Sequence, residues 1–143
     1  FVYRNCNLNP LKQVVLSARF RLKPDVREVI EKNTKANEDY RWKTQPLGWP
    51  NAGSTFKNPE PTRSAGFLLD QSGAKQLTEG GAAVSAIHAN FVINTGGATS
   101  HQVTTLLRRM KESVMTKFSI DLHPEWKTLG EFTSSEKEPW ASH

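Results

Sequence analysis

A chain of 143 residues with 36% hydrophobic and 23% charged residues can build one core, and is too short for two. It holds no apolar run near the ~20 residues that span a bilayer, no signal-peptide pattern, and one cysteine, Cys6, which excludes an internal disulfide and a multi-cysteine zinc site. The net charge of +5 implies an anionic partner, whether nucleic acid, a membrane surface or a phosphorylated small molecule; dispersed basic residues without a nucleic-acid signature demote the first.

The chain opens on Phe1-Val2-Tyr3-Arg4, without Met or start-of-domain character, so sequence is expected upstream. Gln13 to Leu22 is rich in β-branched and aromatic residues and alternates from Leu16, which predicts a half-buried strand. Pro24-Asp25 offers a helix start, and Val26, Val29 and Ile30 on one side predict an amphipathic helix running towards Tyr40. Gln45-Pro46-Leu47-Gly48-Trp49-Pro50 cannot continue it, because two prolines bracket a glycine, and marks a domain junction.

A second helix is expected from Ser64 through Phe67, Leu68 and Leu69 to Gly73. Gly80-Gly81 then leads to Ala82–Ser85, and Ala89 to Asn94 reads as a strand ending at Thr95-Gly96-Gly97. Thr99 and Gln102 form a capping box, and Val103, Leu106, Leu107, Met110, Val114 and Phe118 recur at helical spacing, with Met115 also counted as core. Short extended pieces near Ser119–Leu122 and Trp126–Phe132 precede a frayed tail, Thr133 to His143. This order predicts an α+β fold, a small sheet with helices packed on one face.

Asn51-Ala52-Gly53-Ser54-Thr55-Phe56-Lys57-Asn58-Pro59 places one hydroxyl between a glycine turn and an amide-bearing end, which can hold a proton donor against a ligand. Alone it is ordinary turn chemistry. In company with Tyr3-Arg4-Asn5, Gln45-Pro46, Ala65-Gly66, Gly80-Gly81-Ala82-Ala83-Val84-Ser85, His88-Ala89-Asn90-Phe91, Ala98-Thr99 and Pro124-Glu125, in that order, it resembles the UDP-N-acetylenolpyruvoylglucosamine reductase (MurB) family. The resemblance runs from Tyr3 to about Gly130; the short link between Asn58 and Ala65-Gly66 is similar to the family's second type, without an inserted loop.

The resemblance implies a cytoplasmic bacterial flavoenzyme of peptidoglycan precursor synthesis, monomeric when complete, that uses FAD and NADPH to reduce an enolpyruvyl ether on a UDP-sugar. Residues 1–24 would end its FAD-binding domain, 25–44 would connect, and 45–132 would bind the nucleotide-sugar substrate. Arg4 matches the catalytic arginine, Ser54 the acid that protonates the substrate carbon, and Glu125 the third catalytic residue. Asn58, Lys75 and His88 match substrate-pocket positions, and Gly53 and Arg41 are counted with them as substrate-binding candidates. Arg41, with Lys43, lies in a basic stretch that relatives share and adds positive field around phosphates. Cys6, Gln76 and Ile87 depart from the family's usual serine, glycine and lysine, which puts details of phosphate contact in question. No metal is implied. The other reading is a module that binds UDP-sugars without redox chemistry, since no FAD phosphate loop is visible.

Overall fold

The computed structural model describes residues 3, 6–9 and 12–141. Contacts divide the chain into Phe1–Asn33 and Thr34–His143. The division falls inside the first helix, α1 (Arg27–Thr44).

In the first unit, residues 13–22 form no strand. Leu16 is 92% exposed and Phe20 78%, and among the described residues no strand pairs with this run, whose Gln13 N–H instead turns back to the Asn9 carbonyl at 2.8 Å. Alternation favours a strand only where a partner completes the ladder, so this expectation is corrected. Helix α1 forms as predicted but buries no residue, and Val26, Val29 and Ile30 stay exposed along it.

In the second unit, β1 (Asn51–Ser54), β2 (Thr78–Glu79), β3 (Ala82–Val84) and β4 (Phe91–Asn94) make one antiparallel sheet in the order β1-β4-β3-β2. Sequence reading missed β2, which pairs Thr78 with Ala83 and Glu79 with Ala82 across Gly80-Gly81. Helix α2 (Ala65–Gln71) starts at Ser64, whose hydroxyl accepts from the Phe67 N–H at 3.1 Å. Helix α3 (Ser100–Phe118) starts at Thr99 with both halves of the predicted capping box. Thr99 and Gln102 thereby satisfy N–H groups that the first turn would otherwise leave unpaired.

The core joins Leu68 and Leu69 of α2, Leu106, Leu107, Met110 and Val114 of α3, Ala82, Val84 and Val92 of the sheet, and Phe56 and Leu122 from loops. Val103 and Phe118 pack at its edge, while Met115, expected inside, is 36% exposed beside a surface cleft. Ser72 and Ser113 hydroxyls meet at 2.9 Å between α2 and α3.

Within the expected frayed tail, residues 133–141 are ordered. Thr133 caps α4 (Ser134–Lys137) with Glu136 in a second capping box, and a 3-10 turn, Glu138–Trp140, buries Pro139. Thr133-x-x-Glu136 was a start signal hidden in polar composition. The extended pieces after α3 form no strand of the sheet, and their ladder contact is an isolated bridge, Phe56 to Pro124, just beyond β1.

Candidate active site

Gly53 and Ser54 stand on a bulge. Asn51 pairs with Ile93 and Ser54 with Phe91, so Ala52 and Gly53 together oppose one residue of β4. Gly53 lies at φ 78°, a left-handed conformation open to glycine, and its N–H donates to Asn51 Oδ1 at 3.0 Å. Asn51 also donates from Nδ2 to the carbonyls of Trp49 (2.8 Å) and Pro46 (3.2 Å), tying the proline loop to the bulge. A bulge re-aims the side chain that follows it. Ser54 is half-buried there, and among the described residues its hydroxyl has no hydrogen-bond partner.

After Ser54 the chain is held from two sides. The Thr55 N–H donates to the Asn90 carbonyl at 2.8 Å. The Asn90 side chain, 4% exposed, accepts from the Phe56 N–H (2.9 Å) and donates to the Phe56 carbonyl (2.9 Å). One buried amide thus substitutes for a neighbouring strand at Phe56. On the other side the Lys57 N–H donates to the His123 carbonyl at 2.9 Å, and the Glu125 N–H donates to the Thr55 carbonyl at 2.8 Å. Ser54 and Glu125, separated by about half the chain, therefore flank a shared backbone hydrogen bond.

Lys75 and His88 line one cleft of about 210 Å³ with Ser64, Gly66, Phe67 and Asp70. Lys75 Nζ lies 3.0 Å from Asp70 Oδ1. Its ammonium is already paired, but at this partial exposure the pair is loose enough to share with an anion. Burial lowers the His88 pKa below 6.5, and the Lys75 charge lowers it further. His88 Nδ1 accepts from the Asn90 N–H at 3.1 Å, which leaves Nε2 as the proton-bearing nitrogen of the neutral ring. The ring also meets Phe91 edge-on at 4.9 Å between centroids. It rests on Gly66, where a Cβ would lie 2.7 Å from His88 Cε1. The Ala65-Gly66 pair thus serves the histidine, an approach that sequence alone does not reveal.

Asn58 is exposed, and its Oδ1 accepts from the Ala65 N–H at 3.0 Å at the start of α2, beside the cleft. Glu125 is half-buried. Arg41 is exposed in the last turn of α1 with Lys43, where cations suit the helix dipole, and it does not line the cleft. Arg4 lies outside the described residues. Sequence reading gave no role to Asn90, Asp70 or Gly66, although Asn90 and Gly66 sit within the motifs that carry the resemblance.

Thr95–Thr99, the glycine-rich turn before α3, spends its donors internally. The Gly96 and Ala98 N–H groups donate to Asn94 Oδ1 at 2.9 and 3.2 Å, and the Thr99 N–H donates to Gln102 Oε1 at 3.1 Å. No described helix is long and apolar enough to cross a membrane, and no described cluster of His, Cys, Asp or Glu could hold a metal.

This is an α+β domain in which a bulged serine segment is laced to a glutamate segment at Thr55 and in which Lys75 and His88 share one cleft. Residues 45–129 match the family model described as the C-terminal domain of UDP-N-acetylenolpyruvoylglucosamine reductase. The chain is 46% identical over 131 residues to the enzyme of that name from Parasynechococcus marenigrum, covering 91% of this chain and 44% of the relative. To that of Carboxydothermus hydrogenoformans it is 44% identical over 131 residues, covering 92% and 43%. The crystal structure of MurB from Thermus caldophilus superimposes with a TM-score of 0.59 at 36% identity, over 76% of this chain and 38% of that one. The chain belongs to the MurB C-terminal domain family. It spans less than half the length of these curated relatives.

Proposed function

We propose that this chain is the substrate-binding part of a cytoplasmic enzyme that reduces UDP-N-acetylglucosamine enolpyruvate to UDP-N-acetylmuramate for bacterial peptidoglycan. The observation that carries the reading is the shared lacing of Ser54 and Glu125, the two matched catalytic positions within the described residues, through Thr55. The relatives' printed name, a reductase of this enolpyruvyl UDP-sugar, supplies the substrate class.

FAD, reduced by NADPH, supplies hydride chemistry in this reading when bound. The described residues do not fit an FAD phosphate site, since the glycine-rich turn before α3 has the N–H groups of Gly96, Ala98 and Thr99 occupied by the Asn94 and Gln102 side chains. The flavin then belongs to sequence outside this chain, with residues 1–24 as the end of its domain, and no step is derived through it.

This chain's residues bind the nucleotide-sugar and deliver a proton. Lys75 meets the diphosphate as a point charge, at the cost of loosening its pair with Asp70. His88, neutral near pH 7, offers Nε2–H as a donor on the same cleft wall. Asn58 adds an amide beside the start of α2. Ser54 gives its hydroxyl proton to the substrate carbon beside the one that has gained hydride; a serine serves as acid only towards so basic a carbon, in a site closed to water. Glu125 holds the enolpyruvyl group by hydrogen bonding, and Arg4 supplies fixed positive charge for the carboxylate and the developing enolate.

The test is the natural gene product purified intact. A yellow protein about twice this mass or more, converting the enolpyruvyl UDP-sugar in the presence of NADPH, is expected. A colourless protein that binds UDP-sugars without converting them would overturn the reading in favour of a binding module.

A further inference from the structure

The segment from Asp121 to Trp126 carries Glu125 yet belongs to no continuous ladder. On one side it is held by Thr55 and Lys57 backbone bonds and the bridge at Pro124. Leu122 anchors it in the core, and further restraints come from residues 133–141, which lie beyond the 45–129 span of the family domain. Trp140 Nε1 donates to the Trp126 carbonyl at 2.8 Å, one residue from Glu125. The Trp140 ring packs against the core.

A second tie lies at the near end of the segment. Lys111, in the middle of α3, has a side chain only 7% exposed. Its Nζ reaches Asp121 Oδ1 at 3.0 Å, the Pro139 carbonyl at 3.1 Å and the Ala141 carbonyl at 3.3 Å. An ammonium has three donors, and burial on this scale is tolerated only when they are met. The C-terminal turn supplies two of the three acceptors. Lys111 therefore binds α3, the start of the Glu125 segment and the C-terminal turn at a single point.

We infer that the C-terminal segment Thr133–Ala141 is a brace for the Glu125 loop, with Trp140 and Lys111 as positioning residues. Its role in turnover rests on the reading proposed above. The segment holds the glutamate in register with Ser54 from the side that the sheet leaves open. Without it, Asp121–Trp126 keeps its contacts with residues 55–57, the Lys111–Asp121 pair and the packing of Leu122 and Trp126 on the core, but loses the bond at the Trp126 carbonyl next to Glu125, and Glu125 samples positions outside the productive one.

The experiment uses the complete protein with Trp140→Phe, which keeps a ring but removes the donor, and with a deletion from Thr133 onward. The readouts are amide hydrogen exchange across residues 119–129, kcat and KM for the enolpyruvyl UDP-sugar, and the thermal midpoint, with Ser54→Ala as a control. For Trp140→Phe, faster exchange confined to this segment and a kcat about three- to tenfold lower at unchanged KM are expected, the scale of one lost hydrogen bond. The deletion should act in the same direction and further. If it unfolds the domain, Trp140→Phe decides alone.

Parental exchange and parental kcat in Trp140→Phe, with Ser54→Ala inactive, would overturn the brace and leave the proposed function standing. Exchange raised throughout the domain with kcat and KM both changed would mark a general loss of stability, and would overturn it as well. Normal turnover by Ser54→Ala would remove the proposed function, and the brace's role in turnover with it.

Discussion

Residues 13–22 and β4 carry the same sequence signal with opposite outcomes. Both are runs of apolar and β-branched residues, yet Leu16 is 92% exposed while Val92 is 3% exposed and paired on both sides, with β1 and β3. The difference lies in partners. β3 pairs with β4 along Ala82–Val84 and β1 pairs with it across the bulge at Gly53, whereas among the described residues no strand pairs with residues 13–22. A strand signal is local, and pairing is not. An apolar run left without a strand partner in this way is exposed apolar surface.

Substitutions sharpen this contrast. The largest effect is expected at Asn90→Ala, which strands the buried N–H and carbonyl of Phe56; urea unfolding should show a loss of about 2–4 kcal/mol. Gly66→Ala is expected to cost about 1–3 kcal/mol, because the new methyl displaces the His88 ring. The same change should weaken UDP-sugar binding, measured by calorimetry. Thr99→Ala removes one capping box and should cost about 1 kcal/mol. Leu16→Ser, on the unpaired run, should change the stability of the Thr34–His143 unit by less than about 0.5 kcal/mol. A large loss there would mean that residues 13–22 do have a partner.

His88 adds a pH test. Its pKa is lowered on folding, so between that value and 6.5 the unfolded chain binds more protons than the folded one. Stability should therefore fall as pH drops from 7 through 6.5 and below. His88→Gln, which retains an acceptor, should flatten that slope; an unchanged slope would show that the histidine does not supply it.

Much of the fold was legible. The start of α3 could be read from Thr99 and Gln102, and that of α2 from Ser64, because capping is chemistry within four residues. The ordered tail was missed despite the same signal at Thr133 and Glu136, since polar composition outweighed it. β2 was missed because Thr78-Glu79 is too short to show a period. At the candidate site, Ser54, Glu125, Lys75 and His88 could be proposed from motif order. Their supports could not, because Asn90 reaches Phe56, and Glu125 reaches Thr55, only once the chain is folded.

The most direct measurement is turnover of the complete protein carrying Ser54→Ala, followed together with flavin reduction by NADPH. The account predicts that flavin reduction persists while formation of UDP-N-acetylmuramate is lost. Normal product formation by this variant would contradict it.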